Sequence, residues 1–290
     1  MMTTTAPSFE ALKKPLPLWN PKGLYYGVTR FLFSTAGRLS DGIDLGHRYG
    51  FDSGVMLEYV YRNQSNGKFG VGKLIDRVYL NAPGWKGIRN RGKLLTENLQ
   101  AVIVEEHVRK QRPLTIVDLA CGGGRYVLDA LDGLPEHIAV NAVLRDYREE
   151  NVRSAQNLAD EMGVKVTTEQ ADAFSNADLA GLIELQPDII IVSGLHEIID
   201  DNALVRNHFR QISALLVIGG RLVYTIQPEH PQHELIARVL PSHTGELWVM
   251  RLRPATTTKL WAEFAGFQID QKQMEEQNIF GVVTATKIQG

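Results

Sequence analysis

A chain of 290 residues, 44% hydrophobic and 22% charged, has the makeup of a soluble globular protein with room for one large domain or a domain and a cap. Its one cysteine, Cys121, excludes an internal disulfide and a cysteine-based zinc cluster, and no run approaches the roughly 18 apolar residues of a membrane span. The net charge of −2 hides an asymmetry: residues 1–113 carry 17 Lys/Arg against 9 Asp/Glu, and residues 114–290 carry 14 against 24. A basic leading part can attract an anionic substrate, a nucleic acid or a lipid surface, or simply the acidic part of its own chain.

The first 22 residues are rich in Thr and Pro and read as a flexible lead. They lack the apolar core of a secretory signal, so a cytoplasmic location is expected. Residues 23–113 read as a helical cap or substrate region. Leu24, Val28, Phe31 and Leu32 have helical spacing, in a run that ends near Gly37. Residues 41–50 hold three glycines and read as a loop. Residues 52–62 read as a helix capped by Asp52 or Ser53, and residues 71–80 as another. Ala82-Pro83-Gly84 reads as a turn, residues 85–110 as one or two helices, and Pro113 ends that run.

From residue 114 to the end, strands and helices alternate. Strands are expected at 114–120, 138–145, 164–170, 188–193 and 221–227, with helices between them. Such crossovers imply a mostly parallel sheet buried on both faces. At the end, LWAEFAGFQID reads as helix then strand, and NIFGVVTATK as a last strand close enough for an antiparallel pair.

The stretch LTIVDLACGGGRYVLDAL, residues 114–131, organises the rest. It is a strand, a tight turn and a helix. Glycines let the turn approach a ligand, and the new helix directs its unpaired amides there. A dinucleotide fingerprint needs a third glycine or alanine, but Val127 stands in that place. Asp118, at the strand end, would also repel a pyrophosphate and suits a cationic or hydroxyl-bearing ligand.

This stretch resembles the first motif of the class I methyltransferases that use S-adenosyl-L-methionine (SAM). Asp118, Gly122 and Gly124 match it, and Ala120 replaces the first glycine. The resemblance implies a Rossmann-like sheet of seven strands, mostly parallel with an antiparallel C-terminal strand, behind the N-terminal helical cap. Asp146, 22 residues past Gly124, matches the acid that holds the ribose, and Tyr147 is placed to stack on adenine. Asp172 matches the acid for the adenine amine, with Ala173 and Phe174 beside the base. As a bare residue reading, Asp146 and Asp172 also suit helix caps.

After the fourth strand, the stretch from Ser193 to Asp201 partly resembles the LHDW-x-D segment of small-molecule O-methyltransferases. Leu195 and His196 fit, and Glu197 stands for the aspartate. The catalytic histidine of those enzymes falls on Asn202, so their general-base step does not carry over. His196 and Glu197 remain as candidate bases, and Ser193 joins the cofactor set. His208 reads as a packing residue, and His230, His233 and His243 lack metal-ligand spacing, so no metal is expected. Trp85, Arg89 and Arg91 are candidates to hold the SAM carboxylate or an anionic acceptor, Arg91 being the one assigned to the cofactor.

Over most of residues 23–287, through GWKGIR, VDLACGGGRYVLDAL and LRDYREENV, the chain resembles a bacterial methyltransferase family that also occurs fused behind an α/β-hydrolase. The expected acceptor is a small molecule, anionic or amphipathic, or a lipid-like one. A nucleic-acid methyltransferase is the alternative, but no dense basic run and no Asn/Asp-Pro-Pro-aromatic motif support it. A SAM-binding module without catalysis is the other.

Overall fold

Residues 7–17 and 19–289 are described by the computed structural model. Helix α1 (Phe9–Lys13) is capped by Ser8 and α2 (Pro21–Ser34) by Asn20, with Pro21 in the first turn, where its missing N–H costs nothing. A 3-10 turn at Ala36–Leu39 leads to α3 (Asp41–Tyr49), α4 (Gly54–Arg62), α5 (Val71–Leu80) and the long α6 (Pro83–Lys110). Next come β1 (Leu114–Asp118), α7 (Arg125–Asp132), β2 (Val140–Asp146), α8 (Glu149–Met162), β3 (Thr167–Gln170) and α9 (Asn176–Ala180). The chain continues with β4 (Ile189–Val192), α10 (Leu195–Ile198), α11 (Asn202–Leu215), β5 (Arg221–Ile226) and α12 (His233–Val239). It closes with α13 (Ala255–Phe264), β6 (Phe267–Met274) and β7 (Gly281–Lys287).

Two units emerge, Met1–Arg89 with Glu229–Leu252, and Asn90–Pro228 with Arg253–Gly290. These boundaries do not coincide with the 113/114 division of the sequence. Most of α6 belongs with the sheet, and α12 returns to the helical unit.

In the helical unit, Asp76 on α5 is fully buried and takes four donors. Its Oδ1 accepts from Ser40 Oγ at 2.6 Å and the Gly42 amide at 2.9 Å, and its Oδ2 from Tyr59 Oη at 2.6 Å and the Asn66 amide at 2.9 Å. A buried carboxylate is tolerated because its acceptor sites are filled. Two expectations are corrected here. Residues 41–49 form a helix, not a loop, because their glycines serve packing. A Cβ on Gly42 would stand 2.7 Å from Asp76 Oδ1, and one on Gly46 would stand 2.4 Å from the Phe51 ring. Ser40 Oγ caps this helix through the Ile43 amide. The lead, where it is described, holds α1 and packs within the helical unit rather than standing free of it. Leu12 is buried, and Arg238 of α12 donates to the carbonyls of Ala11, Leu12 and Lys14. Residues 1–6 of that lead, and Leu18, lie outside the described residues.

The second unit holds a seven-stranded sheet in the order β3-β2-β1-β4-β5-β7-β6. The first five strands pair in parallel, and β7 is antiparallel to both β5 and β6. Successive side chains feed opposite faces. Ile116, Ile189 and Ile191 pack with Leu95, Leu99 and Val127 on one side. Val117, Ile190 and Val192 pack with Val205, Phe209 and Ala262 on the other. Burial on both faces explains why these strands read as continuous apolar runs.

Candidate functional site

The site grows from the carboxyl end of β1, which lies between β2 and β4. The chain leaves β1 toward β2 on one side and later fills β4 on the other, so this is the point where the strand order reverses. Ligands of open α/β sheets lie outside the strand ends at that point.

The turn after β1 depends on two glycines in the left-handed region, Gly122 at φ 55° and Gly124 at φ 69°. They differ in surroundings. A Cβ on Gly124 would come 2.9 Å from Leu144 Cδ1 and 3.3 Å from Ala155 Cβ, so this glycine lets the turn pack on β2 and α8. A Cβ on Gly122 would meet nothing within 4 Å, so the turn faces open space there.

Asp118 does not face that space. It is fully buried, and its oxygens accept from the Ala120 amide and from Tyr126 Oη. Burial pushes its carboxyl up to about 7, against the pull of those two donors. The acid therefore shapes the turn from behind. Cys121 beside it is also buried, and burial followed by the charges of Asp118 and Asp146 pushes its thiol up. A protonated thiol is a poor nucleophile.

Asp146, at the end of β2, ties the neighbouring strand to the turn. Its Oδ2 accepts from the Gly122 amide at 2.9 Å, and its Oδ1 accepts from the Arg148 amide and Asn151 Nδ2, both at 2.9 Å. Three donors leave about one of a carboxylate's four acceptor positions. The cap of α8 itself is Arg148. Tyr147 is 71% exposed and turns its ring outward. After β3, Asp172 Oδ1 accepts from the Phe174 amide at 2.9 Å, so that amide is already committed. Ala173 is buried, and the Phe174 ring lies 4.6 Å from the His208 ring.

The loop after β4 collects buried polar groups. Ser193, Glu197 and Gln227 are each more than nine-tenths buried. Ser193 Oγ, Glu197 Oε2 and Gln227 Nε2 have no hydrogen-bond partner among the described residues. The other Glu197 oxygen accepts from Thr225 Oγ1 at 2.6 Å, and Thr225 Oγ1 in turn accepts from the Gly194 amide at 2.8 Å. Arg253 holds the loop through the carbonyls of His196 and Ile199, both at 2.6 Å, and through Asn202 Oδ1 at 2.9 Å. Asn202, where the O-methyltransferases keep a histidine, thus helps to anchor the loop.

His196 is buried, with Nε2 2.9 Å from His208 Nδ1. Burial, then His208 and Arg253, hold its pKa well below the usual imidazole range, and burial brings His208 down to about 4. Both rings are therefore neutral near pH 7. The Arg91 guanidinium lies 4.9 Å from the Phe280 ring centroid and against Gly194, whose Cβ position is 3.4 Å from Nη1. Trp85 and Arg89 fall in the helical unit: Trp85 packs on Tyr79 and Trp248, and Arg89 donates to the Leu80 carbonyl at 2.9 Å.

Sequence reading missed Tyr126, Thr225, Gln227 and Arg253. A signal existed for two of them. In RLVYTIQ, Thr225 and Gln227 alternate as polar residues at the end of an otherwise apolar strand, which puts them on one face.

Comparison with known proteins agrees with this architecture. Magnesium protoporphyrin IX methyltransferase (ChlM) from Synechocystis PCC 6803, solved with bound SAH, is similar with a TM-score of 0.56 and 15% identity, over 90% of this chain and 99% of that one. A possible exported protein from Bordetella parapertussis is similar with a TM-score of 0.60 and 22% identity, over 80% of this chain and 79% of that one. The carbon methyltransferase CurJ is similar with a TM-score of 0.56 and 13% identity, over 86% and 70%. In sequence, the chain is 41% identical over 228 residues to the uncharacterized protein YnbC of Escherichia coli (strain K12). The match covers 78% of this chain but 38% of that relative, so the chain spans well under half of its length. The family model described as "Putative methyltransferase" matches residues 1–287, and the chain belongs to that family, with the class I Rossmann-like fold.

Proposed function

We propose that this protein transfers a methyl group from SAM to a small-molecule or lipid-like acceptor, and that the ends of β1, β2, β3 and β4 hold the donor. The observation that carries the reading is the glycine turn with its open side at Gly122, braced by the Asp146 carboxylate where the strand order reverses. Family membership supports it. SAM supplies a methyl group on a sulfonium sulfur, open to in-line displacement by a nucleophile.

The chain's residues fit this donor. Asp146 offers its remaining acceptor position to a ribose hydroxyl, and the exposed Tyr147 ring offers a face to adenine. Asp172 has one carboxylate oxygen beyond that engaged by Phe174, suited to an exocyclic amine. Ala120 leaves room for close approach, with the buried Ala173 and the ring of Phe174 on the base side. Ser193 Oγ and the Arg91 guanidinium suit the polar end of the donor. Asp118 shapes the turn without touching the ligand.

Of the two candidate bases, Glu197 is the better one. His196 would become a cation on taking a proton, and burial, His208 and Arg253 all oppose that charge. Glu197 presents an oxygen without a partner among the described residues, and Thr225 fixes the carboxylate's orientation. An acceptor with an O–H or N–H donor would satisfy that oxygen. Alignment and exclusion of water supply the rest of the rate.

The test is transfer of labelled methyl from SAM to hydroxyl-bearing small molecules and lipid extracts. Wild type should transfer label to one of these classes, and Glu197→Gln should bind S-adenosylhomocysteine normally while turning over at least about 100-fold more slowly. Tight SAM binding with no transfer to any acceptor would contradict the reading.

A further inference from the structure

Helix α2 has two apolar sides, and its packing uses one. Gly23, Tyr26, Gly27 and Phe33 lie on the more buried side, together with Arg30, whose guanidinium donates to the Arg238 carbonyl of α12. Leu24, Tyr25, Val28, Phe31 and Leu32 occupy the opposite side. At 3.6 residues per turn they fill a continuous arc of about 120°. All five are 51–65% exposed. Trp19, just before the Asn20 cap, is 86% exposed. Scattered apolar residues on a surface need no explanation, but a continuous aromatic and aliphatic face does.

The unit that carries this face is net basic, with 14 Lys/Arg against 9 Asp/Glu over residues 1–89 and 229–252. Helix α2 itself, PKGLYYGVTRFLFS, has no acid, while Arg38 just beyond it pairs with Asp44 at 2.8 Å. Lys22 is 62% exposed on its side chain, although it also reaches Glu234 at 3.1 Å. The combination of Trp, Tyr, Phe and Leu on one face with basic flanks is that of a helix lying in the plane of an anionic lipid surface.

We propose that the exposed face of α2, with Trp19, docks the protein on an anionic bilayer surface. The apolar side chains enter the headgroup region, and the basic residues near them meet the lipid charge. This goes beyond the methyltransferase reading and does not depend on it, because docking needs no cofactor.

Sedimentation of the full chain with phospholipid vesicles tests it. Wild type should bind vesicles containing phosphatidylglycerol, bind phosphatidylcholine vesicles more weakly, and lose part of its binding in high salt. Phe31→Glu and Leu24→Glu should each weaken partitioning roughly tenfold or more, since each removes a large apolar group from the bilayer and adds a repelled charge. Both positions are exposed, so the fold should persist, as checked by an unchanged melting curve. Phe264→Glu, 79% exposed on α13 in the other unit, should leave binding unchanged. Absence of wild-type binding would overturn the proposal. So would equal binding by the α2 variants, or light scattering that shows a dimer dissociated by the same substitutions.

Discussion

Replacing Asp146 with Asn removes one charge and almost no volume. In the native site, Oδ2 faces one donor, the Gly122 amide, while Oδ1 faces two, the Arg148 amide and Asn151 Nδ2. An asparagine has one oxygen and one NH2 group. Its better orientation keeps the oxygen toward the two donors and turns the NH2 against the Gly122 N–H. The link between β2 and the glycine turn is then lost, and so is the charged acceptor offered to the ribose. A hydrogen bond to a charged group contributes about 1.5–3 kcal/mol, so S-adenosylhomocysteine should bind roughly 10- to 150-fold more weakly. The melting temperature should fall by only a few degrees, since the amide left behind can reach water. Titration calorimetry on wild type and variant, with thermal melts as the folding control, reads both quantities. A folded variant with wild-type affinity would refute the assignment of Asp146 to the ligand.

Other consequences follow from the same geometry. Gly124→Ala should destabilise more than Gly122→Ala, because both carry left-handed strain of about 1–2 kcal/mol but Gly124 alone would also collide with Leu144 and Ala155. Gly122→Ala, whose methyl enters the open side of the turn, should instead lose ligand affinity out of proportion to its stability; melts and calorimetry on both variants decide the order. Thr225→Val should slow turnover by misplacing Glu197, with little change in affinity for S-adenosylhomocysteine, as a comparison of kcat with calorimetric Kd will reveal. In stability against pH, the buried groups oppose one another. Asp118, raised by burial to about 7, keeps its proton in the native state between about pH 4 and 7, so its contribution falls as pH rises. His208 and His230, held by burial at about 4, stay neutral when unfolded imidazoles charge below about 6.5, so their contribution is lost as pH falls through that window. With His196, which is also held below the usual imidazole range, these histidines outweigh the one carboxylate, and stability from these groups should drop below pH 6.5. Asp118→Asn should steepen that drop by up to about 1.4 kcal/mol per pH unit, measured by denaturant titration; an unchanged slope would contradict the buried, protonated Asp118.

The sheet was legible because its signals are local. Apolar strands, the glycine turn and the acids at the strand ends are written within a few residues of one another, and Gly163 at φ 69° ends α8 as its sequence position implies. What escaped depends on distant partners. Gly42 and Gly46 look like helix breakers until Asp76, Tyr59 and Phe51 are seen to occupy the space of the missing side chains, and only Gly50, at φ 91°, ends the helix. Asp118 carries the pattern of a ligand-facing acid, yet Tyr126, eight residues on, claims it. Residues 229–252 follow β5 in sequence but join the helical unit, where Arg238 binds the carbonyls of α1. The Thr225–Glu197 bond and the Arg253 clasp likewise link segments 28 and 54 to 57 residues apart, which periodicity cannot relate.

The most direct test of the account is native mass spectrometry of the freshly purified protein, followed by titration with SAM and S-adenosylhomocysteine. The account predicts a co-purified ligand or a one-to-one complex at micromolar concentration, lost in Gly122→Ala. No binding of either compound at millimolar concentration would contradict the claim that the β1 turn is a SAM site.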